Sequence, residues 1–240
     1  MSLIRRWFDP IRSKWYYDRS LRQTHLPTEK GLCIYLRLDD VYSYLAVQQL
    51  EQLEDILVEE IKPLRIILSD QAAPPPNGMS EEVWQNYALN DAKILAMQHR
   101  FAFDDVPELP RPEAVEQAWV ILERTPLQGK DFLYLLEDVF HMLWNQQYGK
   151  LKMLYSMAKH YQKPPADPQF HCKSIPILTA YFEFGGRQYH AVDDLLRLTR
   201  RLQQQKLLIS PPIFLINHIE WREHLINDAN ELADIQALQP

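Results

Sequence analysis

Two short apolar runs, residues 32–38 and 64–68, flank a single helical pattern, and that order leaves few ways to fold. The first run, Leu32-Cys33-Ile34-Tyr35-Leu36-Arg37-Leu38, reads as a strand, with Gly31 in front and Asp39-Asp40 behind. Tyr44, Leu45, Val47, Leu50, Leu53, Ile56 and Leu57 then fall largely on one face of a helix. Pro63 opens the second run, Leu64-Arg65-Ile66-Ile67-Leu68. Parallel strands need a connection long enough to cross back over the sheet, so this spacing predicts a parallel βαβ unit with a right-handed crossover. Asp39 or Asp40 falls at the predicted helix N-cap. A carboxylate there accepts orphan backbone donors and meets the positive end of the helix dipole.

Pro74-Pro75-Pro76-Asn77-Gly78 breaks the pattern, and the chain beyond it turns helical. Ser80 caps a segment with Glu81 and Glu82 in its first turn, running to about Arg100. Pro107, Pro110 and Pro112 interrupt it, and further helices are predicted over residues 113–124 and 131–160. Pro164-Pro165 and Pro168 end the block. Residues 178–184 then read as a strand, Gly185-Gly186 as a hairpin turn and Arg187-Gln188-Tyr189 as the returning strand. Residues 192–205 form an amphipathic helix rich in Leu and Arg. Beyond it lie a short apolar run, Pro212-Ile213-Phe214-Leu215-Ile216, and Asn217 with Glu220 at capping-box spacing ahead of a last helix. The order βαβ, helical block, ββα predicts an α/β thioredoxin-like fold with an all-helical insertion, the DsbA-like arrangement. The expected division is an arm at 1–29, a thioredoxin-like domain from 30–79 and 165–205, a helical insertion at 80–164 and an extension at 206–240.

Bulk properties narrow the function classes. The formal net charge of -6 gives no support to nucleic acid or an anionic membrane as partner. The arm carries Arg5, Arg6, Trp7, Phe8, Arg12 and Lys14, but Asp9 and Asp18 dilute its charge, and a docked amphipathic segment is the expectation. No apolar run approaches a membrane span. The first residues, Met1-Ser2-Leu3-Ile4-Arg5-Arg6-Trp7, lack the apolar core of a secretory signal. Two distant cysteines, Cys33 and Cys172, make neither a disulfide framework nor a Cys-x-x-Cys pair. A cytoplasmic location is expected, and dithiol oxidoreductase chemistry is not.

The segment Tyr35-Leu36-Arg37-Leu38-Asp39-Asp40-Val41-Tyr42-Ser43-Tyr44-Leu45-Ala46 resembles the signature of 2-hydroxychromene-2-carboxylate isomerases and kappa-class glutathione transferases, in which a strand ends near Asp and leads into Ser-Pro-Tyr-x-Tyr/Trp-Leu. Phe182-Glu183-Phe184-Gly185-Gly186-Arg187-Gln188-Tyr189-His190-Ala191-Val192-Asp193-Asp194-Leu195 resembles the closing hairpin of the same group. The resemblance spans residues 30–205. It implies glutathione as cofactor, a small aromatic or conjugated acid as substrate, and a homodimer. In that family a Ser at the first helix N-terminus lies against the glutathione thiol, where backbone donors stabilise a thiolate.

Three positions depart from the family. Asp40 stands where the Ser would be and Val41 where its Pro would be. An ionised Asp40 is an acceptor only and repels a thiolate. The position of the family's cis-proline falls at Ala180, preceded by Thr179, and a trans bond is expected there because a non-proline cis bond costs about 3 kcal/mol. The family's Asp-Arg pair becomes Asp193-Asp194. The expected site therefore has Asp40, Tyr42 and Tyr44 in catalytic positions, with Asp39, Thr179, Ala180 and Asp193 against the substrate. It is an acidic pocket suited to a cation or amine.

Other constellations carry less. Glu137 with His141, and Glu220 with His224, have the spacing of half a metal site, but helical surface pairs share it, and no metal is expected. His171-Cys172 falls in a proline-flanked loop. The aromatics Trp84, Tyr87, Phe132, Tyr134, Phe140 and Trp144 lie on helical patterns and read as core, with a ligand cleft as the functional alternative. Two functions compete. One is an isomerase or glutathione-linked enzyme using Asp40 as acid/base. The other is a non-catalytic binding or interaction domain on the same scaffold.

Overall fold

The computed structural model describes residues 31–103, 108–161 and 169–211. The predicted arm and the elements expected beyond residue 211 lie outside these residues, as do Glu220 and His224.

The βαβ unit forms as the apolar pattern requires. Strand β1 (Cys33–Leu36) runs parallel to β2 (Arg65–Ser69), pairing Ile34 with Ile66 and Leu36 with Leu68. The connection contains two short helices rather than one, α1 (Val41–Val47) and α2 (Leu50–Ile56). The break falls at Gln48-Gln49, which the continuous apolar face conceals. Every residue of α1 is buried, so the helix is enclosed between sheet and insertion.

The insertion contains α3 (Glu81–His99), α4 (Pro112–Arg124), α5 (Gly129–Trp144) and α6 (Tyr148–Ala158). Ser80 caps α3 as predicted, its hydroxyl accepting from the Val83 amide at 3.3 Å. The single helix expected over 131–160 is two, separated at Asn145–Gln147, where Gln146 takes a positive φ of 54°.

Strand β3 (Phe170–Lys173) has no counterpart in the sequence pattern. Phe170 and His171 are half-buried and Cys172 and Lys173 exposed, without the alternation that marks a strand, and it forms because β2 offers a parallel edge pairing Ile66 with Phe170. His171 and Cys172 therefore lie on a strand, not in a proline-flanked loop. Strands β4 (Tyr181–Phe184) and β5 (Arg187–His190) make the predicted hairpin. Gly185 and Gly186 both have positive φ, 57° and 71°, the conformation a two-residue hairpin turn of the primed type demands. Helix α7 (Leu195–Gln204) comes next.

The result is a mixed α/β structure with one five-stranded sheet, ordered β3-β2-β1-β4-β5, and seven α-helices among the described residues. β1 is antiparallel to β4, and β4 to β5. The strand pleat separates two apolar clusters. Ile34, Leu36, Ile66 and Leu68 join the main core with the helices, while Cys33, Tyr35, Ile67, Ile177 and Tyr181 form a smaller cluster in which Tyr35 and Tyr181 stack at 4.5 Å. No helix among the described residues is long and apolar enough to cross a membrane.

Candidate functional site

The β1–α1 turn carries the residues singled out by sequence. Asp40 is the α1 N-cap, with extended backbone (φ -101°, ψ 120°). It is only 6% exposed. Four donors converge on its carboxylate. Oδ2 accepts from the Ser43 amide at 2.9 Å, the Ser43 hydroxyl at 2.7 Å and the Ala180 amide at 2.8 Å, and Oδ1 accepts a longer bond from the Tyr42 amide at 3.4 Å. Ser43 Oγ in turn accepts from the Arg37 amide at 2.9 Å. The carboxylate thus joins the end of β1, the start of α1 and the residue before β4, which is 140 positions away in sequence.

Arg37 makes a second link across the same gap. Its guanidinium forms a bidentate pair with Asp39 at 2.9 and 2.7 Å and donates to the Ile177 carbonyl at 3.1 Å. Asp39 is therefore neutralised at the surface by a residue of its own turn. Sequence reasoning missed Arg37 and Ser43. The Ser43 spacing, three residues after the cap, was the available signal.

Burial pushes the Asp40 carboxyl above the ordinary carboxylate range, and the Arg37 charge, the Ser43 hydroxyl and the Ala180 amide pull it back down.

Tyr42 and Tyr44 face the insertion. The Tyr42 hydroxyl donates to buried Asp91 of α3 at 2.8 Å, and its ring meets His190 edge-on at 4.9 Å. Tyr44 stacks on Trp144 of α5 with centroids 5.9 Å apart, and its hydroxyl accepts from Asn145 at 3.3 Å and lies 3.3 Å from His141 Nδ1. Trp144 Nε1 donates to the Leu38 carbonyl at 3.1 Å. Both tyrosines are struts between α1 and the insertion, fully buried. Phe132, Phe140 and Trp144 are likewise core, whereas Tyr134 is exposed and bonds Glu51.

Thr179 and Ala180 are buried beside the cap, and the Thr179–Ala180 bond is trans, since Lys62–Pro63 is the one cis peptide among the described residues. Asp193 does not join an acidic pocket with Asp39 and Asp40. Its amide donates to His190 Nδ1 at 3.2 Å, and the residue lines a groove of about 470 Å³ between β5 and α7 whose charge is arginine. The expected acidic pocket is therefore replaced by one ion-paired carboxylate, one buried cap and one acid on a basic groove. Glu137 and His141 gather no third ligand: no cluster of three His, Cys, Asp or Glu able to hold a metal occurs among the described residues.

A scan against protein-family models, a search of curated proteins and a search of solved structures each return no match for this chain.

Proposed function

We propose that this chain is a non-catalytic binding or interaction domain on a thioredoxin-like scaffold, divergent from the 2-hydroxychromene-2-carboxylate isomerase and kappa-class glutathione transferase type. The scaffold assignment draws support from the sheet: β2, β1, β4 and β5 are adjacent in that order, with one parallel and two antiparallel pairings, around a βαβ and a ββα half.

The carrying observation is the occupancy of Asp40. In the resembled family a thiol lies between the first helix N-terminus and the loop before the hairpin. Here the α1 amides and the Ala180 amide that face each other across that gap are already bonded to one buried carboxylate. Backbone donors that would stabilise a thiolate are spent internally, and a thiolate brought there would meet a group that is negative when ionised. Function is read from the site rather than from the scaffold, and this site closes on itself.

The competing enzyme reading has one observation in its favour, the raised proton affinity of Asp40, a property common at catalytic carboxyls. It needs Asp40 to touch substrate, and burial opposes that.

Calorimetric titration of reduced glutathione into the native protein and an Asp40→Ser variant tests the proposal. No heat from the native protein is expected. Stoichiometric binding to the native chain, or turnover of a glutathione conjugate abolished by Asp40→Asn, sinks it.

A further inference from the structure

Helix α7 has two stripes. Leu195, Leu198, Thr199 and Leu202 are buried against the core. Arg197, Arg200, Arg201 and Gln204 repeat at the same i, i+3, i+4, i+7 spacing and share one wall of the groove, and Arg187 on β5 joins them from across it. Four guanidiniums thus border one concavity of about 470 Å³, in a chain whose net charge is -6. The volume lies in the range of small-ligand sites.

A solvated helix face explains this poorly. Acids outnumber bases in the chain, 32 to 26, yet none of these four arginines makes an ion pair among the described residues. Like charges at helical i, i+3 and i, i+4 spacing repel. The helix dipole favours Arg201 in the last turn but disfavours Arg197, third residue of the helix, in the first. Arg201 also has a buried Nε with no acceptor, a donor that costs stability until something accepts from it. An anion in the groove relieves the repulsion and supplies acceptors to the cluster.

We infer that the β5–α7 groove binds a compact polyphosphate anion, held by Arg187, Arg197, Arg200 and Arg201. Arginine presents planar forks that match phosphate oxygens two at a time, and several phosphates in one ligand are needed to engage four forks. Gln204 adds an uncharged donor at one end, and Asp193 repels further negative charge at the other. This site is separate from the Asp40 network and does not depend on the reading of that network.

The test is calorimetry of tripolyphosphate with the full chain at about 0.15 M salt, where weak surface attraction is screened. Submillimolar, one-to-one binding is expected. Arg197→Gln and Arg187→Gln should each weaken it by about tenfold or more, the loss typical of one charge-assisted bond. Lys152→Gln, an exposed charge on α6, should leave it unchanged. Circular dichroism of each variant checks that the fold persists. A parallel arm with vesicles containing phosphatidylinositol bisphosphate separates a lipid headgroup from a free polyphosphate as the source, and binding in either arm that is lost in Arg197→Gln supports the site. Absence of binding in both arms overturns the inference. So does binding indifferent to both Arg187 and Arg197, or citrate binding as tightly as tripolyphosphate.

Discussion

Replacing Asp40 separates a structural carboxylate from a catalytic one. Asp40→Ala removes the α1 cap, worth about 1 kcal/mol. It also leaves the buried Ala180 amide without its acceptor, at about 1–3 kcal/mol. The expected loss is about 2–4 kcal/mol. Asp40→Ser restores a cap to α1, but its shorter side chain does not reach Ala180, so about 1–3 kcal/mol remains lost. Asp40→Asn keeps an oxygen at the Oδ2 position and its three donors, and should cost about 1 kcal/mol or less. The order of stability should therefore be native, Asn, Ser, Ala. Urea unfolding at neutral pH, tracked by fluorescence and circular dichroism together, reads it, since each kcal/mol moves the midpoint by roughly 0.3–1 M at ordinary slopes. A different result is expected of a carboxylate kept for catalysis, because active-site groups are commonly held at a cost to stability. An Asp40→Ala protein as stable as the native chain, or more stable, refutes the structural role. A Ser variant more stable than the Asn variant refutes the link to Ala180.

The pH dependence of the same variants carries a second prediction. Burial raises the folded-state carboxyls of Asp40 and Glu54, so the folded chain holds their protons more tightly than the unfolded chain does. Stability from these groups therefore falls as pH rises from about 4, the unfolded range, until each folded carboxyl has ionised. The gap between native and Asp40→Asn should widen as pH is lowered from 7 toward 4, and a narrowing gap contradicts the raised value. Glu54→Gln, which keeps an acceptor for the Leu64 amide, should behave the same way. Trp144→Phe removes the bond to the Leu38 carbonyl and should cost about 1–2 kcal/mol, seen as a fall of a few degrees in melting temperature; an unchanged melting temperature counts against the strut.

Elements that rest on local periodicity were readable from the chain. The Ser80 cap, the α3 span and the Gly185-Gly186 turn needed only nearby residues. The breaks at Gln48-Gln49 and Asn145–Gln147 escaped because apolar periodicity runs through both. Strand β3 escaped for the opposite reason: Phe170-His171-Cys172-Lys173 has no strand pattern of its own and is ordered by the edge of β2. At the candidate site, Asp40 as a cap was legible from its place ahead of the helix. Its bond to Ala180 was not, because nothing local couples positions 140 apart. The acidic pocket failed on the same ground: three acids read as one cluster face an arginine, a set of amides and a basic groove.

The sequence alone determined the βαβ unit, the helical block, the hairpin and the absence of a Cys-x-x-Cys pair, since each depends on residue type and short-range spacing. Tertiary structure alone decided what the site became. Whether a carboxylate at a helix N-terminus meets a ligand or a backbone amide depends on which distant segment packs across from it. Here that segment is the residue before β4, and it fills the carboxylate's remaining bonding capacity. The same holds for the basic groove, where the helix supplied a stripe of arginines and only the packing of α7 against β5 brought Arg187 to border it.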